Sequence, residues 1–317
     1  MTGVRVDMHA HFLPQVYRRA LADAGIDRPD GIRAVPKWSE EHALATMDRL
    51  DVELAILSIS SPGVHFGDDA AAALLARQVN EEAASLRQRH PGRFGSFASL
   101  PLPDLDASLA ETAHALDTLG AEGVALETNH HGTYLGDPVL EPLWSELSAR
   151  NAVVFVHPTT AHCGEHLALG YPRPMLEFMF ETTRSITDLV LSGVLERHPG
   201  LQLLVPHAGA ALPVLAARVE LLLPLLAPPG GPTPPSLRAA LRRLHFDLAG
   251  APVDELLTAL LSVADPNKLH YGSDFPFTPA DTCAALAQQL DATGALDDEQ
   301  RRAVYAGNAR RLLERTT

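Results

Sequence analysis

Lysine is almost missing from this chain. Lys37 and Lys268 are the only two among 317 residues, and arginine carries the remaining positive charge. Acidic residues outnumber basic ones 39 to 25, a formal net charge of −14, which speaks against nucleic acid or an anionic membrane as a partner. Cysteine is equally scarce. Cys163 and Cys283 lie far apart and form no Cys-x-x-Cys pair, so nothing points to a disulfide framework. No run approaches the roughly 18–20 consecutive apolar residues of a membrane span. The N-terminus enters a strand directly, without a basic segment followed by an apolar one. The expectation is a soluble, cytoplasmic protein.

What is present is a large apolar reserve, 46% of all residues, in a pattern of short runs alternating with longer amphipathic ones. The short runs fall at 4–8, 54–60, 94–100, 124–127, 153–156, 201–205, 244–248 and 269–272. Those in the middle of the chain are nearly continuous in apolar character, as strands buried on both faces of a parallel sheet are. Between them, helices are predicted over 70–89, 105–119, 139–150, 175–197 and 279–291, with terminal helix over 297–315. Asp104 caps the second, Gly120 closes it, and His-Pro-Gly stops the first and fourth, consistent with helix-end chemistry. Strand alternating with helix eight times predicts a (β/α)8 TIM barrel occupying 1–317 as one domain, with a doubly wound sheet as the alternative. Two stretches depart from the alternation. Residues 25–39 read as an irregular insertion after strand one, and the proline-rich run 227–235 reads as a surface loop.

Polar residues recur directly after the apolar runs. His9 and His11 follow the first, and residues two apart in extended chain point to one side, so the two imidazoles can converge. Glu127 ends the fourth run, His157 follows the fifth, His207 the sixth, and Asp274 the eighth; Asp247 lies near the end of the seventh. A barrel brings these ends around one cavity, which makes the set a candidate metal site.

His9-x-His11, His157, His207 and Asp274 in these positions resemble the amidohydrolase superfamily. Pro206-His207-Ala208-Gly209 and Gly272-Ser273-Asp274-Phe275-Pro276 are similar to its decarboxylase branch, which includes the aminocarboxymuconate semialdehyde, γ-resorcylate and 6-methylsalicylate decarboxylases. The resemblance implies one divalent ion held by His9, His11, His157 and Asp274, zinc first and manganese as the alternative, with His207 beside it as acid/base. Asp274 would share the proton transfers. Members with two ions bridge them from strand four with a carboxylated lysine or a glutamate; no lysine stands there, and Glu127 is assigned to the barrel wall or to a place behind the ligands. The arginines with which the semialdehyde enzyme grips its substrate have no counterpart in 38–48, which points to an aromatic monocarboxylate rather than a muconate. Phe12, Phe275 and Phe277 are candidates for the wall around the ring.

The implied activity is non-oxidative decarboxylation of a hydroxybenzoate-like acid. The alternative is hydrolysis of a lactone or amide by the same ligands, since a bound divalent ion also activates water. Arg218 matches in position an arginine that, in the resembling semialdehyde enzyme, reaches the neighbouring subunit's site. It lies in the apolar segment 211–226, and a homodimer across that segment is expected.

Overall fold

The computed structural model describes residues 3–226, 234–250 and 254–314. Eight strands make one parallel sheet in chain order: β1 (Arg5–His11), β2 (Val52–Ser58), β3 (Phe94–Ser99), β4 (Gly123–Glu127), β5 (Val153–His157), β6 (Gln202–Val205), β7 (His245–Asp247) and β8 (Leu269–His270). The sheet curls until its two ends meet. Met8 N–H donates to Tyr271 O at 2.9 Å and Asp274 N–H to His9 O at 2.7 Å, so the chain forms a (β/α)8 barrel with helices around it.

Its interior is filled by Val6, Met8, Ile56, Phe97, Val153, Phe155 and Leu204, and the Phe97 and Phe155 rings stack at 5.5 Å. Ala306, Ala309 and Leu312 of the C-terminal segment join this cluster from one end. A larger apolar layer lies between strands and helices, including Trp144, Leu143, Ile186 and Leu189, all with no exposed surface. The helix starts follow from short polar caps: Asp68 accepts from Ala71 N–H, Asp104 from Ala107 N–H, and Asp297 and Gln300 form a reciprocal capping box, each relieving backbone donors that a helix start leaves unpaired.

Several boundaries differ from the sequence expectation. β1 runs three residues further, through His11, so the first two histidines lie in the strand rather than after it. Its pairing with β2 is irregular between Asp7 and Ala10, and there the interior side passes from Met8 to His9, whose ring packs against Phe155 at 4.8 Å. The predicted helix 105–119 is α-helical only over Leu105–Ala113 and widens to a π turn over His114–Leu119. The helix predicted over 175–197 is Glu177–Leu191 and Val194–Arg197, divided at Gly193, whose φ of 78° breaks the helix. The terminal helix is likewise interrupted, by a π turn over Ala303–Gly307. Most of the proline-rich run (227–233) and residue 315 lie outside the described residues.

One helix is unusually apolar. The helical stretch His207–Leu226, 20 residues, is long and apolar enough to pass for a membrane span by length and composition. It begins inside the barrel mouth at His207, and its regular helix is Leu212–Leu226. Leu212 and Ala216 are buried against the barrel, whereas Val214 is 66% and Leu221 68% exposed. Apolar surface therefore covers the outer side as well as the inner one.

Candidate metal centre and its two cavities

His9, His11, His157 and Asp274 each offer a donor atom, and these four atoms lie within 4.8 Å of one another. Among the described residues this is the one such group. His9 Nε2 and His11 Nε2 are 3.1 Å apart, and Asp274 Oδ1 stands 3.6 Å from the first and 3.3 Å from the second. Bonds of about 2.0–2.1 Å around a tetrahedral ion place neighbouring donors roughly 3.3 Å apart, so the separations suit one ion and the donor set suits zinc or manganese.

The tautomers are prepared from behind. His9 Nδ1 faces Asp247 Oδ2 at 2.9 Å, and His11 Nδ1 faces the Ser58 carbonyl at 3.3 Å. A proton on each Nδ1 leaves each Nε2 lone pair free for the ion. Burial works against a charge on His9, but the Asp247 carboxylate outweighs it and raises its pKa. Burial lowers His11, and burial with the neighbouring imidazoles takes His157 well below the ordinary histidine range. Neutral imidazole is the form that binds metal.

His207 stands beside this group, its ring 5.0 Å from that of His9. Its buried Nδ1 has no partner, and burial, assisted by His9, pushes its pKa down to about 4. Asp247, noted in the sequence only for its place near a strand end, ties the pieces together. Its Oδ1 accepts from His207 N–H at 3.1 Å and Ala249 N–H at 3.0 Å, while Oδ2 takes the His9 contact. Burial would raise the Asp274 carboxyl, but hydrogen bonding to His11 and the nearby imidazoles hold it at about 2. Both His207 (φ 54°) and Asp274 (φ 59°) sit in the left-handed region, a strained backbone that concentrates at functional sites.

The metal group opens into a cleft of about 730 Å³. Phe178, Met179, Phe277 and Ile32 give it apolar walls, and Arg33 is the one arginine in its lining. The Arg33 guanidinium has no hydrogen bond or ion pair among the described residues. Arg33 lies outside 38–48, in the insertion 25–39, which folds over the barrel mouth. Phe277 lines the cleft, its ring 5.5 Å from that of His11. Phe12 and Phe275 do not line the cleft. Phe12, one residue past His11, points to the other side of the strand and packs on Trp38 at 6.1 Å, and Phe275 packs on His42 at 5.1 Å. Arg218 is exposed on the outer helix and away from its own chain's cleft.

A second cavity of about 230 Å³ occupies the other half of the mouth, between the ends of β2, β3, β4 and β5. Glu127, His65, His130, His131 and His162 line it. Glu127 is outside the metal group; its Oε2 lies 3.6 Å from His157 Nδ1, and neither atom has a hydrogen-bond partner. Burial raises Glu127 well above the usual carboxylate range, with Asp30 adding to it.

The profile of the amidohydrolase family matches residues 6–315. The chain is 38% identical over 315 residues to a 6-methylsalicylic acid decarboxylase of Penicillium expansum, covering 98% of this chain and 96% of that one. Among solved structures, an amidohydrolase II superposes with a TM-score of 0.91 at 35% identity over 98% of this chain and 99% of that one. A dihydroxybenzoic acid decarboxylase from Polaromonas sp. JS666 with bound manganese and 2-nitroresorcinol superposes with a TM-score of 0.84 at 20% identity over 98% and 97%.

Proposed function

Because the chain belongs to the amidohydrolase family, we propose that it is a metal-dependent, non-oxidative carboxy-lyase for a small aromatic acid bearing a hydroxyl beside its carboxylate. The observation that carries this reading is the cleft: one metal group with His207 at its edge, apolar walls for a ring, and the free cation Arg33. The Penicillium relative, whose name gives 6-methylsalicylic acid as its substrate, supports the substrate class. Residues 1–317 form one catalytic barrel in this reading, and a cytoplasmic location belongs to it too.

A divalent ion held by His9, His11, His157 and Asp274 would fix carboxylate and hydroxyl together and acidify the hydroxyl. Asp274 is ionised and His207 neutral in the fold, so the hydroxyl proton of the arriving substrate has two acceptors at hand. Asp274 takes it and returns it to the ring carbon that bears the carboxylate, while His207 hydrogen-bonds the phenolate oxygen. The bond to the carboxylate then breaks, its electron pair restores the aromatic ring, and carbon dioxide leaves. Phe277, Phe178 and Ile32 hold the ring and keep water out, and Arg33 meets an anionic oxygen at the mouth.

Purified protein should carry close to one zinc or manganese ion per chain by elemental analysis. It should release carbon dioxide from 2-hydroxybenzoates with a 6-alkyl group and leave lactones and amides intact. His157→Ala should lose the ion and the activity. Two tightly held ions, or acid formation from a lactone without carbon dioxide release, would overturn the reading in favour of a binuclear site or a hydrolase.

We also propose that a second copy covers the helix Leu212–Leu226. Val214, Leu221, Leu225 and Leu226 are each more than 60% exposed on it, a larger apolar face than an isolated surface helix carries. Arg218, exposed on the same helix, would then reach the partner's cleft. Sedimentation at micromolar concentration should give a dimer; a monomer would leave Arg218 a surface residue.

A further inference from the structure

Asp30 belongs to the insertion that folds over the barrel mouth, at a left-handed φ of 53°. It lines both cavities and stands on the partition between them. Its carboxylate accepts from Thr160 Oγ1, in the loop after β5, and lies near Ser61, in the loop after β2, whose hydroxyl pairs with Thr159 Oγ1 at 2.7 Å. Arg173, from the segment that also supplies Pro174 and Met175 to the cleft wall, faces it electrostatically. Next to it, Gly31 has a φ of 76°, and a Cβ there would stand 2.8 Å from Arg173 Nη1. One carboxylate thus ties its own segment to the loop after β5 and faces the Arg173 segment. The residues that follow it, Ile32, Arg33 and Ala34, are cleft wall.

We infer that Asp30 is a positioning residue: it pins the segment 29–36 across the barrel mouth and so holds the wall carrying Arg33 in place for the substrate. The inference rests on the proposed carboxy-lyase reading for its substrate and on geometry for the pin. At its far end the segment is also tied by Arg18 Nη1, which donates to Pro36 O at 2.7 Å. Arg33 and Ala34 are exposed, and the Pro29–Gly31 turn is a single turn whose one capping bond is Ile32 N–H to Pro29 O. The pin is half-buried, so removing it takes the acceptor from the Thr160 hydroxyl as well as freeing the loop.

The experiment compares Asp30→Ala with Asp30→Asn in the metal-loaded protein. Asparagine keeps an oxygen for Thr160 Oγ1–H; alanine keeps nothing. In Asp30→Ala, amide exchange over 29–36 should rise about tenfold or more, while β1 and the helix Asp69–Arg89 exchange as before. Its kcat/KM for a 6-alkyl-2-hydroxybenzoate should fall about ten- to a hundredfold, mostly through KM, with metal content unchanged. Asp30→Asn should stay within about threefold of the parent on both readouts. Unchanged exchange over 29–36 in Asp30→Ala would overturn the pin. Faster exchange with an unchanged KM would overturn the positioning role. A parent protein that decarboxylates nothing defeats the carboxy-lyase reading alone; the exchange data and calorimetric binding of the hydroxybenzoate still decide whether Asp30 holds the wall.

Discussion

Two cavities share the barrel mouth, both rich in histidine, and only one gathers its imidazoles into a metal group. In the cleft, Asp247 and the Ser58 carbonyl occupy the rear nitrogens of His9 and His11, and their front nitrogens meet at 3.1 Å. In the second cavity the hydrogen bonds run the other way. His65 Nε2 is taken by Asp69 at 2.7 Å and its Nδ1 accepts from Gly67 N–H at 3.2 Å, so neither nitrogen is left for an ion. The His65 and His131 rings meet edge to face at 4.6 Å. Histidine number does not make a metal centre; the partner behind each ring does, because it chooses which nitrogen is free.

The sharpest test of this contrast lies at the cleft's edge. His207→Ala should keep one ion per chain and lose activity by about 100- to 10,000-fold, the usual worth of a positioned proton-transfer group. Steady-state decarboxylation together with elemental analysis would show it. Near-parental turnover would make His207 a packing residue and leave Asp274 to handle the proton alone.

The parts of this site that were readable from sequence are those fixed by strand ends. His157, His207 and Asp274 stand where an apolar run stops, and the barrel alone brings such ends together. What could not be read depends on direction or on distant pairing. Phe12 is adjacent in sequence to His11 and for that very reason faces away from it, and Phe275 lies in a turn that carries it onto His42. Asp30 meets Thr160 across 130 residues of chain, a pairing no local pattern announces. Arg33 was hidden inside an insertion whose irregular composition says nothing of where it folds. β8 was expected over four residues and pairs over only Leu269–His270, because from Tyr271 onward the chain hydrogen-bonds to β1 and to Val304 instead. Asp247 was in plain view at a strand end, and asking which groups could orient His9 would have found it.

The smallest expected effect concerns the second cavity, and it separates stability from catalysis. His130 is 9% exposed, its Nε2 has no partner, and burial, with His131 and His65 nearby, pushes its pKa down to about 3. An unfolded histidine takes its proton near pH 6.5. Between pH 6.5 and about 3 the unfolded chain therefore binds a proton at this position that the fold refuses, so stability falls as the pH drops through that window and is untouched above it. At pH 5 this amounts to about 2 kcal/mol relative to pH 7.5. His130→Gln keeps a polar side chain and removes the titration. The loss in urea midpoint between pH 7.5 and pH 5 should therefore be smaller in the variant than in the parent, with metal content checked at each pH. It should not vanish, since burial holds His270 at about 3 as well. Decarboxylation at pH 7.5 should stay within about threefold, because the cavity holds no proton-transfer group of the reaction. A tenfold or larger loss of activity with the metal still bound would break the contrast, and the two cavities would then be one working site.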